Sequence, residues 1–126
     1  MKRIVIADDS ATARMMIRRC LEIVGFGEAE FVEAENGREA LTHVKQSPAF
    51  LLVSDLNMPI MDGEALLKWV KASPKLVDLP VLIITSAGNP AKAEQLLNMG
   101  AFAVVNKPVN PALLNDVLAP LLDKED

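Results

Sequence analysis

The chain is poor in several residue types at once. It holds one cysteine (Cys20), one histidine (His43), one tryptophan (Trp69) and no tyrosine. A lone cysteine excludes an internal disulfide framework and any zinc site built from cysteines. With no secretory leader in view, it points to a reducing cytosol. No apolar run approaches the ~20 residues that cross a bilayer, so no membrane partner is expected. Positive charge is also short, with 13 Lys and Arg against 17 Asp and Glu and a net charge of −4. Direct nucleic-acid binding, which wants a basic face, is not expected. Aromatics make up only 4%, while apolar residues reach 51%. The chain is therefore not of the apolar-poor, disordered kind, and its core must come from Val, Ile, Leu, Ala and Met. A length of 126 residues suits about one domain.

Two residue periods alternate along that length. Arg3–Ala7 is a short β-branched run of the buried-strand type. Ser10 is placed to cap a helix in which Ala13, Ile17, Cys20, Leu21 and Val24 recur at helical spacing, with Gly25 as its C-cap. A more polar strand follows over about Ala29–Ala34, and its charges suit a sheet edge. Asn36, with Glu39 three residues on, opens a helix to about Gln46. Phe50–Ser54 is again strand-like, and Asp62 caps a third helix carrying Leu66, Leu67 and Val70. Val81–Thr85 is the most strand-like stretch of the chain. Asn89-Pro90 and Asn110-Pro111 each read as a capping Asn with Pro at the first helical position. They open a fourth helix, closed by Gly100, and a fifth. Phe102–Val105 is the strand between them. Five strand–helix units imply an α/β fold with a parallel sheet, right-handed crossovers and helices on both faces. Residues 1–126 read as a single domain.

In open parallel sheets, ligands bind beyond the carboxyl ends of the strands. Asp8 and Asp9 follow the first strand, Asp55 the third, Thr85-Ser86 close the fourth, and Asn106-Lys107-Pro108 follow the fifth. Three carboxylates at one rim call for a cation. Hard oxygen ligands without His or Cys suit Mg²⁺. Three aspartates, a divalent cation and Lys107 sum to neutrality, a site that can then accept a phosphoryl dianion. An Asp carboxylate can serve as the nucleophile, and phosphoryl transfer needs little beyond positioning and charge stabilisation.

Asp8-Asp9, the run Asp55-Leu56-Asn57-Met58-Pro59-Ile60-Met61-Asp62-Gly63, Thr85-Ser86 and Lys107-Pro108 together resemble the receiver domain of bacterial response regulators, of the stand-alone chemotaxis type. The resemblance covers essentially the whole chain. It implies a flavodoxin-like three-layer (βα)5 fold with a five-stranded parallel sheet in the order 2-1-3-4-5. It also implies that Asp55 is the phosphoryl acceptor. Asp9 is then a direct ligand of Mg²⁺ (or Mn²⁺) with Asp55, Asn57 ligates through its backbone carbonyl, and Asp8 acts through water. Thr85 is the switch hydroxyl, Lys107 pairs with the phosphate, and the Lys107-Pro108 bond is cis. The implied partners are a histidine kinase or histidine phosphotransfer protein upstream, and a downstream target protein on the face of the fourth helix, fifth strand and fifth helix. A receiver accepts and loses its own phosphoryl group and has no separate turnover substrate. One position departs from the family: Val104 stands where a Tyr or Phe is usual. Phe102, two residues earlier, would share a strand face with it. Ala87, two residues after Thr85, and Asn57 occupy positions that tune phosphate loss.

The remaining conspicuous residues read as structural. His43 is expected on a solvated helix face, Cys20 in the core, and Trp69 as a packing or partly exposed residue. Arg14, Arg18 and Arg19 read mostly as a solvated helix face, with docking of an acidic partner as the alternative, and Met15, Met16, Met58, Met61 and Met99 read as packing residues with some adaptable contact surface. A receiver kept only as a docking module is the competing function. An Asp-nucleophile phosphatase of the haloacid-dehalogenase type would want Asp-x-Asp after its first strand and a cap insertion. A flavodoxin would not place Asp8 and Asp9 at its phosphate loop.

Overall fold

A computed structural model describes residues 2–86 and 89–122. Strand β1 (Arg3–Ala7) leads to helix α1 (Ala11–Leu21), then β2 (Glu30–Ala34), α2 (Gly37–Gln46), β3 (Leu51–Asp55) and α3 (Gly63–Ala72). The chain continues through β4 (Val81–Thr85), α4 (Pro90–Asn98), β5 (Ala103–Asn106) and α5 (Pro111–Leu122). All strand pairs are parallel, in the order β2-β1-β3-β4-β5. This is the flavodoxin-like arrangement, with the polar strand β2 at an edge as its charges imply.

The caps behave as their residue types demand. Ser10, Asn36, Asp62, Asn89 and Asn110 each accept a hydrogen bond from a backbone N–H in the first turn of the following helix. An N-cap of this kind stabilises by ~1 kcal/mol against Ala. Helix α1 does not simply stop at Gly25. A π-helical turn, Glu22–Phe26, extends it, and Gly25 at φ 131° turns the chain inside that turn.

Because side chains alternate along each strand, the sheet divides the core into two layers. Val5, Ala7, Leu52, Val81 and Ile83 pack beneath α2, α3 and α4, through Ala40, Leu41, Val44, Leu66, Leu67, Val70 and Leu96. Ile4, Ile6, Leu51, Val53, Leu82 and Ile84 pack beneath α1 and α5, through Ile17, Cys20, Leu21, Leu114, Leu118 and Leu121. Strands covered on both faces need no polar side, which is why β1, β3 and β4 read as continuous apolar runs. Cys20 is the expected small core residue, and burial pushes its thiol pKa up.

Four expectations need correction. Phe102 and Val104 do not share a face: Phe102 packs with the α1–α5 layer and Val104 with the α2–α4 layer. The strand begins at Ala103, so its two-residue alternation does not extend back to Phe102. Met15 and Met16 are not packing residues but lie exposed on α1, whereas Met58, Met61 and Met99 do pack against the core. Arg14 is not part of a solvated face. Its Nε donates to Glu33 and its Nη1 to the Asp8 carbonyl, at 2.7 and 2.6 Å. His43 is half-buried, not fully solvated. Ala87 lies outside the described residues.

Candidate functional site

Parallel pairing brings the carboxyl ends of β1, β3, β4 and β5 to one rim. Ala7 lies beside Ser54, Asp55 beside Ile84, and Thr85 beside Asn106. The Asp8 N–H continues the ladder by donating to the Ala34 carbonyl at 3.0 Å. That fixes the Asp8 backbone, and its side chain is 1% exposed. Its Oδ1 accepts from the Ser10 N–H at 2.9 Å and its Oδ2 from Lys107 Nζ at 3.0 Å. Asp9, the next residue, is exposed.

Asp55 ends β3 and is 8% exposed. Its Oδ1 accepts from the Leu56 N–H at 2.9 Å, and Lys107 Nζ stands 3.6 Å from its Oδ2. The Ser54 hydroxyl donates to the Asp55 carbonyl at 2.8 Å. Thr85 ends β4 and is buried, and its carbonyl accepts from the Lys107 N–H at 2.8 Å. That bond fixes the Lys107 backbone at the rim, and the Lys107–Pro108 peptide beyond it is cis. Asn57 is exposed in the loop, two residues beyond Asp55. The rim residues singled out from the sequence are therefore at the rim, with Asp8, Asp55 and Thr85 buried and Asp9, Asn57, Ser86 and Asn106 facing solvent.

Two charge effects follow from this crowding. Carboxylate oxygens of Asp8, Asp9 and Asp55 lie within 4.8 Å of one another. Burial raises the Asp55 pKa, and the Asp8 and Asp9 charges raise it further, while Lys107 and the Leu56 N–H pull it down without reversing the shift. Burial pulls the Lys107 ammonium pKa down, but the hydrogen bond to Asp8 and the charges of Asp55 and Asp8 outweigh it and leave it raised. Lys107 thus pairs with Asp8 and Asp55, and Asp9 adds a third carboxylate beside them. The deficit is one divalent cation. The donor set, oxygen without nitrogen or sulfur, matches a hard metal ion, and these three carboxylates are close enough to hold one.

Supporting residues emerge that the sequence reading passed over. A Cβ on Gly63 would fall 2.4 Å from the Asp55 carbonyl oxygen and 3.0 Å from Leu56 Cα. Only glycine lets α3 begin directly beneath β3, with the Gly63 N–H donating to the Leu56 carbonyl at 2.8 Å. The Asp62-Gly63 pair signals a cap and a turn, but not this close approach. Gly37 similarly admits the Met61 carbonyl, which accepts its N–H at 2.8 Å. Arg14 braces Asp8 from α1, a contact that no local pattern announces because its partners lie on two other segments.

With this geometry in place, similarity to known proteins can be weighed. The response regulator receiver domain family profile matches residues 4–119. The chain is 33% identical over 121 residues to a chemotaxis protein CheY homolog from Campylobacter jejuni, covering 95% of this chain and 92% of that protein. Among solved structures it is similar to the chemotaxis response regulator CheY4 of Vibrio cholerae. That match has 30% identity and a TM-score of 0.83, and covers 96% of this chain and 98% of the other. The receiver domain of AraT, a response regulator from Geobacillus stearothermophilus, matches at 32% identity and a TM-score of 0.83 over 98% of this chain and 94% of the other.

Proposed function

The chain belongs to the response regulator receiver domain family of two-component signalling, and from that premise we propose that it is a phosphorylation switch whose acceptor is Asp55. The observation that carries this reading is the placement of Asp55 at the end of β3, with Lys107 Nζ 3.6 Å from its carboxylate and two further aspartates within metal-sharing distance. The donor is a phosphohistidine on a histidine kinase or histidine phosphotransfer protein. The Asp55 carboxylate attacks phosphorus, and an O–P bond forms as the N–P bond of the donor breaks. The departing imidazole nitrogen keeps the electron pair. Later attack by water on phosphorus breaks the O–P bond and regenerates the carboxylate. The protein has no separate turnover substrate in this cycle, and we place it in the cytoplasm as a single receiver domain.

Mg²⁺ or Mn²⁺ fits the donor set; Asp9, Asp55 and the Asn57 backbone carbonyl would hold it, with Asp8 supporting it through water. When bound, the cation supplies charge neutralisation for the transferring oxygens. The chain's own residues do the rest. The Leu56 N–H holds one Asp55 oxygen. Lys107, already oriented by Asp8, offers its ammonium to the incoming phosphoryl group. Thr85 contributes a hydroxyl from the adjacent strand end. Because Thr85 ends β4 and Lys107 directly follows β5, a change at either is transmitted to the α4–β5–α5 face, where we place the downstream protein. Phosphorylation shifts the balance between two surface conformations only by as much as the phosphoryl group interacts differently with them.

Acetyl phosphate tests the proposal. Incubation with Mg²⁺ is expected to yield an acid-stable, hydroxylamine-labile phosphoryl adduct that is absent without metal and absent in Asp55→Asn. Failure of the wild-type chain to form an adduct in the presence of metal would leave only a docking role.

A further inference from the structure

On the side of the molecule formed by α2 and α3, a cleft of about 410 Å³ is lined by Arg38, Leu41, Thr42, Lys45, Ile60, Met61 and Trp69. We propose that it is a docking site for an acidic peptide segment of a partner protein, anchored by apolar side chains against Ile60 and Trp69 and held at its flanks by Arg38 and Lys45. This surface is separate from the α4–β5–α5 face.

Three independent features point there. Trp69 and Ile60 are 56% and 75% exposed, so the cleft carries two of the largest apolar side chains left in solvent among the described residues. Ile60 also stands at φ 70°, in the left-handed region where a β-branched side chain is a genuine outlier. Folding alone would favour Asn or Gly at that position, so the Ile side chain is explained by what it contacts outside the fold. Charge supplies the third feature. Arg38, Thr42 and Lys45 succeed one another on one stripe of α2, and neither cation has a carboxylate partner among the described residues. Lys45 instead lies over the Trp69 ring, 5.9 Å from its centroid. Two unpaired cations beside an apolar cleft on a chain of net charge −4 select an acidic occupant.

The cleft is too open for a small molecule, which would bury most of its surface in an enclosed pocket. Two cations are also too few for a nucleic-acid backbone, which needs a basic stripe. Trp and Arg are among the residues that dominate protein–protein recognition, and an apolar-anchored segment laid in a groove is a recurrent mode.

The intrinsic fluorescence of Trp69, the chain's single tryptophan, provides the measurement. The probes are a panel of synthetic peptides with Leu and Phe pairs, at helical and at strand spacing, among Asp and Glu. Controls carry Lys in place of every acid. At least one acidic peptide is expected to give a saturable blue shift that weakens with added salt, and the Lys controls none. The double variant R38E/K45E should bind at least tenfold more weakly. Ile60→Asn relieves the backbone while removing an anchor, so it should fold at least as well as the wild type and still bind several-fold more weakly by calorimetry. The proposal is overturned if no acidic peptide outbinds its Lys control, or if these variants leave binding unchanged. It is equally overturned if emission shifts with protein concentration alone, which would assign the cleft to a second copy of the chain.

Discussion

Replacing Asp55 with Asn should remove function and stabilise the fold, and the size of that gain follows from the site's charges. Asp8 and Asp55 present carboxylate oxygens within 4.8 Å of each other. At an effective dielectric of about 20 this repulsion is at least ~3.5 kcal/mol. Lys107 Nζ, 3.6 Å from Asp55 Oδ2, returns about 4.6 kcal/mol on the same scale. Asp9 is exposed and screened by water. The Coulomb contributions nearly cancel. What remains is the cost of burying a carboxylate that is 8% exposed, several kcal/mol in practice, offset by the one hydrogen bond from the Leu56 N–H, ~1.5–3 kcal/mol to a charged acceptor. Asn keeps the shape and the acceptor for that N–H without the charge. The expected gain is ~1–2 kcal/mol at neutral pH without metal. For 126 residues, with unfolding entropy near 2.1 cal/mol/K per residue, Tm rises by about 4–8 °C.

The pH dependence has a definite sign. The native Asp55 pKa is raised above the ordinary carboxylate value, so in the window between the unfolded and native values the folded state binds more protons. Stability then falls as pH rises through that window. The penalty is absent below ~pH 4, where both states are protonated, and fully present once pH exceeds the native value. Thermal unfolding followed by circular dichroism, for wild type and Asp55→Asn, should give curves that converge near pH 4 and separate toward pH 7. Millimolar Mg²⁺ should narrow the gap at pH 7, because the ion stabilises the wild type by mass action and the variant less. An Asn variant no more stable than wild type at pH 7, or an advantage unchanged at pH 4, would refute the reasoning.

Other perturbations test neighbouring parts of the same argument. Gly63→Ala would set a Cβ 2.4 Å from the Asp55 carbonyl oxygen; a loss of ~3 kcal/mol or more, read by urea unfolding, should accompany slower phosphorylation by acetyl phosphate. Lys107→Met leaves Asp8, 1% exposed, without its cation. Because Lys107 is itself 29% exposed, the loss should sit at or just below the low end of the ~3–5 kcal/mol range for broken buried pairs, again by urea unfolding. Metal binding should release protons, since a divalent ion reverses the rise in the Asp55 pKa; calorimetry in buffers of different ionisation enthalpy should show more release at pH 5 than at pH 8. Ile60→Asn should raise stability by ~1 kcal/mol by relieving the left-handed backbone.

Local chemistry made most of the fold legible. Strands β1, β3 and β4 are short, mainly apolar runs covered on both faces, so composition alone marks them. Helix starts were equally plain, because a capping oxygen must precede the first turn and Ser10, Asn36, Asp62, Asn89 and Asn110 supply it. The rim residues were legible for a topological reason: in a parallel sheet all carboxyl ends fall on one side, so polar groups after separate strands must meet. Features that depend on tertiary placement were not legible. Arg14 looks like any solvated helix arginine until Glu33 and the Asp8 carbonyl are brought beside it. Phe102 differs from Val104 in face because β5 starts one residue later than the apolar run does. Ile60 carries no local sign of its left-handed backbone, since its residue type argues against one.

The Phe102 correction constrains how a signal can leave the site. An inward-turning aromatic on the α4 side of β5 is ruled out, because Val104 occupies that face and Phe102 belongs to the α1–α5 layer. What connects the rim to α4 instead is a polar clamp: Lys92 and Gln95 on α4 both engage Glu64 in the first turn of α3. Helix α3 is in turn seated on the acceptor strand by the Gly63–Leu56 hydrogen bond. On the proposed reading, a change at Asp55 has a packed route to α4 through the residues that begin α3, one that needs no rotating ring. The free energy available to that route is limited by what phosphorylation changes at the rim, where burial first and Asp8 second disfavour the charged carboxylate. A ligand can shift a two-state surface only by its differential affinity, so the cost of holding a buried carboxylate at Asp55 bounds what such a switch can draw on.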